Sequence, residues 1–267
     1  MRRAPAVAGR FYPARPAQLR RELENYIQLA TPREKAIACV VPHAGIMYSG
    51  HVAGAVYSRL EPAFTYIILC PNHTGYGSPM AIISEGEWET PLGDACIDAA
   101  LARDLMRSCA GLEEDAGAHR FEHSLEVQLP FLQFLHPGFR FVPIALGVGR
   151  YEPLEELGRA IASVTERMEA HPLIVASSDL NHYEPDSVNR RKDHLAIDRI
   201  LALDPRGLYD TVHRENISMC GFGPAVAMLT AARALGAASA ELVRYANSGD
   251  ITGDRSQVVG YAGILIR

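Results

Sequence analysis

Residues 36–45 read Ala-Ile-Ala-Cys-Val-Val-Pro-His-Ala-Gly, and the change of character in the middle of this stretch decides the fold. Ala36–Val41 is an apolar run without alternation, the pattern of a strand covered on both faces. It stops at Pro42 and opens into a polar loop holding His43 and Gly45. The same change recurs twice. Tyr66–Cys70 (YIILC) runs into Pro71-Asn72-His73-Thr74-Gly75, and Leu173–Ser177 (LIVAS) runs into Ser178-Asp179-Leu180-Asn181-His182-Tyr183. Further strand-like runs are Met80–Ser84, Phe141–Leu146, Glu241–Ala246 and Val258–Ile266. Helical spacing fills the intervals: Pro16–Leu29, His51–Leu60, Ile97–Cys109, Ser124–Leu135, Pro153–Ala170, Ser187–Leu203 and Gly221–Leu235. Alternating strands and helices predict an α/β layered sandwich with a largely parallel central sheet flanked by helices. No internal repeat, Gly/Ser linker or charge block divides the chain, so residues 1–267 read as a single domain.

Composition narrows the function classes. The 267 residues carry 26 Lys plus Arg against 31 Asp plus Glu, a formal charge of -5, which argues against a nucleic-acid partner because binding phosphate backbones needs basic surface. The basic cluster Arg190-Arg191-Lys192 reads as a solvated helix face. Five cysteines, an odd number without CxxC spacing, predict a reducing compartment rather than a disulfide framework. The N-terminal MRRAPAVAGRFYPA has no apolar run behind it, and no stretch approaches the roughly 18 apolar residues of a membrane helix. The expectation is a cytoplasmic protein with no membrane partner. GxxxxGK[ST], GxGxxG after the first strand, GxSxG and HExxH are all absent, which disfavours P-loop, dinucleotide, α/β-hydrolase and zincin chemistry.

The remaining polar residues gather at strand ends. In open α/β sheets the ligand crevice lies outside the carboxyl ends of the strands, so His43, His73, Asp179 and His182 can converge there. Neutral imidazole suits iron, copper and zinc. Cys220, in Met219-Cys220-Gly221-Phe222-Gly223-Pro224, opens an Ala-rich helix, where unpaired N–H groups favour the thiolate. Cys39, Cys70, Cys96 and Cys109 sit in apolar patterns and read as buried small hydrophobes. His123 and Glu126, three apart in Glu122–Gln128, are expected on one helix face, as metal ligands, a proton relay or an ion pair at the helix start. Tyr245–Asp254 reads as a polar turn that brings Ser248 and Asp250 toward the crevice.

Taken together, these pieces resemble the Memo family, whose bacterial and archaeal members are called AmmeMemoRadiSam system protein B. The resemblance rests on AGRFYPA near residue 8, VPHAGIMYSGHVAGAVY from Val41, ILCPNHTGYG from Ile68, EHSLEVQLPFLQ from Glu122, SSDLNHYE from Ser177, MCGFGPAVAML from Met219 and YANSGD from Tyr245. It implies a fold like that of class III extradiol dioxygenases, which are non-haem iron enzymes. It implies that His43, His73 and Cys220 bind the metal and that His182 is an acid/base residue. Asp179, His123 and Glu126 fall at family positions around the same pocket. Where the dioxygenases use two His and a carboxylate, this chain carries Cys220, and a thiolate shifts preference toward copper(I), zinc or redox-active iron. The reading that follows is an iron- or copper-dependent redox enzyme, with zinc as the other metal, acting with a radical-SAM protein and a small companion protein. The alternatives are a non-catalytic protein holding a metal and a small-molecule or peptide ligand, and a metal-free hydrolase with Cys220 as nucleophile and His182 or His123 as base.

Overall fold

A computed structural model describes residues 1–28 and 32–267. Twelve strands are described: β1 (Arg2–Arg3), β2 (Ala38–Val41), β3 (Thr65–Pro71), β4 (Met80–Ile82), β5 (Glu87–Thr90), β6 (Gly93–Ile97), β7 (Glu113–Glu114), β8 (Arg140–Leu146), β9 (Leu173–Ser177), β10 (His182–Glu184), β11 (Ala240–Asn247) and β12 (Val258–Ile266). They form one sheet in the order β1-β5-β6-β8-β3-β9-β2-β12-β10, with β11 on β12 and β4 on β8. The run β6-β8-β3-β9-β2 is parallel, while β12 pairs antiparallel with β2, β10 and β11. The parallel strands are buried almost throughout, which is why they read as continuous apolar runs.

Among the described residues, nine helices flank the sheet: α1 (Pro16–Tyr26), α2 (Ile46–Arg59), α3 (Ala99–Ser108), α4 (Leu129–Leu135), α5 (Tyr151–Thr165), α6 (Asp186–Leu201), α7 (Pro205–Arg214), α8 (Phe222–Ala234) and α9 (Ser248–Thr252). α8 lies on β2, β3 and β9 with α5 against it, and α2 lies on β2, β11 and β12 with α1 outside it. The α1–α2 approach depends on glycine. A Cβ on Gly54 would stand 2.4 Å from the Tyr26 carbonyl oxygen.

The alternation predicted from sequence is present, with corrections. The Pro16–Leu29 helix stops at Tyr26, and Leu29 lies outside the described residues. α5 ends at Thr165, five residues before the predicted end. The β5–β6 hairpin and the edge strands β1, β7 and β10 were not predicted. Each is short, and pairing with a distant neighbour holds it in place. α7 was also unpredicted, although Asp204 caps it and Pro205 occupies its first turn. The expected helix over Ser124–Leu135 is α only from Leu129, after a 3-10 turn at Glu126–Gln128. Ser248–Thr252, read as a turn, is a short helix closed by a capping box between Asn247 and Asp250. Cys96, read as buried, is exposed.

Candidate metal centre

The sheet order explains why residues far apart in sequence meet. β3, β9 and β2 are consecutive parallel neighbours, so their carboxyl ends lie on one edge. His43 follows β2, Asp179 follows β9 and His73 follows β3. They line a cavity of about 630 Å³ with His123, His182, Cys220, Phe11 and Tyr261 among its walls. One ring nitrogen from each of His43, His73 and His123 lies within 4.8 Å of the other two. Cys220 falls outside that trio, but its Sγ stands 3.3 Å from His43 Nε2.

Hydrogen bonds decide which nitrogen of each ring is free. The Ser177 hydroxyl gives its one proton to the Ser124 carbonyl at 2.7 Å and accepts from Gln128 Nε2 at 2.8 Å. It therefore receives the Nδ1–H of His43, 2.9 Å away, which leaves Nε2 as a lone pair facing Cys220. Gln128 is held in turn by the Tyr57 hydroxyl and the Pro42 carbonyl. His73 donates Nδ1–H to Glu122 Oε1 at 3.0 Å and its backbone N–H to Glu122 Oε2 at 2.6 Å. The same Oε1 accepts from the N–H of His123 and of Ser124 and from the Ser124 hydroxyl, and lies 3.3 Å from His123 Nδ1. Burial alone would push the Glu122 carboxyl up, but the hydrogen bonds from His73 and Ser124 overcome it and hold the group at about 2. A fixed carboxylate or hydroxyl behind each ring is the outer arrangement that orients a ligating histidine.

Electrostatics favour neutral rings at His43 and His123. Burial, with His123, His73 and His182 nearby, pushes His43 well down. Burial takes His123 down to about 4 against the opposing pull of Glu122. Cys220 behaves differently from the thiolate expected at a helix start. It precedes the Gly221 cap of α8, and burial together with the Asp179 carboxylate pushes its thiol well up. A coordinated cation reverses that preference by deprotonating the thiol. The geometry allows it: metal bonds of about 2.3 Å to sulfur and about 2.0 Å to nitrogen, meeting at about 95–110°, leave an S···N separation of about 3.2–3.6 Å. Gly221 is needed for Cys220 to reach the site, since a Cβ there would stand 2.3 Å from Ser178 Cβ.

Not every predicted residue joins this centre. His123 does, but not through a helix face shared with Glu126. Glu126 is fully buried and receives Arg3 at 2.7 Å, the Tyr12 hydroxyl at 2.6 Å and the N–H groups of Ala6 and Val7. It anchors the N-terminal segment and does not line the cavity. Asp179 accepts the N–H of His43 at 2.8 Å and of Ala44 at 3.3 Å. It has no ion pair with His182, which is oriented instead by Ser218 through its backbone N–H and Nδ1. Ser248 and Asp250 do not line the cavity either. Asp250 pairs with Arg190 and Arg255, and Ser248 accepts the N–H of Val259. Sequence reasoning missed Glu122, Ser177 and Gln128 as the groups behind the histidines.

With this geometry in place, the comparisons identify the lineage. A family profile described as Memo-like protein matches residues 3–265. The chain belongs to the Memo family. MEMO1 family proteins of Methanosarcina barkeri and Archaeoglobus fulgidus are 47% and 46% identical to it, each alignment covering 99% of both chains. The MEMO1 family protein of Methanopyrus kandleri is 44% identical over 100% of this chain and 99% of its own. Among solved structures, an uncharacterized protein of Escherichia coli K12 superposes with a TM-score of 0.57 at 13% identity, covering 86% of this chain and 100% of that one. That likeness is one of fold. Among the described residues of this Memo protein, no helix is long and apolar enough to cross a membrane.

Proposed function

We propose that this Memo protein is a metal-dependent redox enzyme whose ion is held by His43 and His73 with Cys220 and His123 beside them. The observation that carries the reading is the convergence of three ring nitrogens within 4.8 Å, two of the rings locked by Ser177 and Glu122 with Nε2 turned away from their partners. Imidazoles with a thiol form a donor set for iron or copper, and for zinc. Iron or copper held there would supply one-electron or oxygen chemistry, which zinc cannot. The chain's own part is to hold the His43 and His123 rings neutral, to keep the Cys220 sulfur against His43, and to offer His182 Nε2 for proton transfer while Ser218 fixes Nδ1. Motif-level resemblance supports a cytoplasmic role beside a radical-SAM protein and a small companion protein.

Oxygen uptake tests this. Protein loaded anaerobically with iron(II) or copper(I) and then exposed to air with ascorbate is expected to consume oxygen faster than the free metal, and His43→Ala with His73→Ala should lose the excess. No uptake above the free metal would leave a metal-holding protein without turnover.

A further inference from the structure

Beside the histidine trio, two acceptors in the cavity wall have no protein partner among the described residues. Asp179 is only 5% exposed. Its Oδ1 is committed to the N–H groups of His43 and Ala44, whereas its Oδ2 has no hydrogen bond among the described residues and is not sealed from solvent. Since the residue lines the cavity, the free oxygen opens there. His182 lines the same cavity. With Nδ1 donating to the Ser218 carbonyl at 2.8 Å, its Nε2 is a second free acceptor. Among the described residues the two groups form no direct ion pair, yet His182 is near enough to bear electrostatically on Asp179. The remaining wall is apolar and aromatic, built from Phe11, Val259, Tyr261 and the rim residue Tyr183, which is held at φ +58° and 71% exposed. Among the described residues, no Lys or Arg lines the cavity. Arg10, close enough to bear on His123, is not part of the wall.

We infer that the substrate of this site is a planar, largely apolar molecule with a hydrogen-bond-donating head, a protonated amine above all, received by Asp179 Oδ2 and His182 Nε2. A carboxylate or phosphate head placed between these two groups would meet acceptors on both sides and would bury unpaired groups. This deepens the reading of the cavity as the working site and does not depend on which metal occupies it.

The test uses metal-free full-length protein at neutral pH with three matched probes: 2-phenylethylamine, 2-phenylethanol and phenylacetate, read by ligand-observed NMR titration. The amine is expected to bind at least about tenfold more tightly than phenylacetate, with the alcohol between, because only the amine can form charge-assisted hydrogen bonds to these acceptors. Asp179→Asn keeps Oδ1 for the His43 and Ala44 N–H groups and places an amide NH₂ where Oδ2 stands. It should abolish the amine preference. His182→Ala, a change at a less buried position, should weaken amine and alcohol together and tests the site independently of how well Asp179→Asn folds. Phenylacetate binding as tightly as the amine, an unchanged amine affinity in Asp179→Asn, or no binding by any probe would each overturn the inference. Because the probes are read without metal, failure here leaves the metal centre standing, and loss of the metal centre leaves this result unaffected.

Discussion

Glu122 and Glu126 sit four residues apart, are both fully buried, and do opposite work. Glu126 turns toward the N-terminal segment, where Arg3, Tyr12 and two backbone N–H groups take its oxygens. Glu122 turns toward the cavity, where His73, His123 and Ser124 take its oxygens. The backbone between them is loop and turn, and the 3-10 turn begins only at Glu126. The lesson is that proximity to a histidine in sequence does not assign a carboxylate to a site. The donors that surround it do.

The largest effect that could break this contrast lies on the Glu126 side. Glu126→Gln leaves the buried Arg3 without its counter-charge, and breaking a buried pair costs about 3–5 kcal/mol. Urea denaturation should show that loss while metal stoichiometry stays at the wild-type value. A fall in bound metal without a fall in stability would reverse the assignment.

The same side supplies an acid sensitivity. His119 gives its carbonyl to Arg3 and packs edge-on to Trp88. Burial lowers it to about 4, although the Ala81 carbonyl pulls the other way. A depressed folded value means that its contribution is complete above the ordinary histidine range near 6.5 and is lost as pH falls toward 4. At about 1.4 kcal/mol per pH unit, that amounts to at most about 3.5 kcal/mol. His119→Phe should flatten the stability profile between pH 6.5 and 4. An unchanged slope would rule out His119 as its source.

On the cavity side, Glu122→Gln must turn an NH₂ toward a donor, since every group on both oxygens is an N–H or O–H. Outer-shell changes of this kind typically lower metal affinity about 10–100-fold. Competition with a chelator should show that drop for Glu122→Gln and none for Glu126→Gln. Equal losses would erase the comparison. Ser177→Ala removes one hydroxyl behind His43, so its effect should fall at the low end of the same range, near tenfold. The Nδ1–H signal of His43 in ¹⁵N-resolved spectra should lose its single-tautomer position, and retention of that position would exclude Ser177 as the group that sets it.

Much of this centre was legible in the sequence. His43 and His73 were identifiable because a strand that stops at proline and opens into His-x-Gly has few structural reasons to do so. The order of β3, β9 and β2 was not legible, yet any parallel sheet puts strand ends on one edge. Asp179 could be located for the same reason, but its separation from His182 could not, because Ser218 arrives from 36 residues away. Glu122 was passed over for Glu126 because its defining partner, His73, lies 49 residues upstream. The β5–β6 hairpin escaped notice because Glu87-Trp88-Glu89-Thr90 buries only alternate residues, so its apolar content is half that of the central strands.

One ion shared by residues from two strand ends, the loop before the 3-10 turn and a helix start is the central claim. Metal content of anaerobically purified protein, measured by mass spectrometry for wild type, His43→Ala, His73→Ala, His123→Ala and Cys220→Ala, tests it most directly. The account predicts close to one equivalent in wild type, near-complete loss for His43→Ala and His73→Ala, and reduced content for the other two. Undiminished metal in His43→Ala and His73→Ala would contradict it.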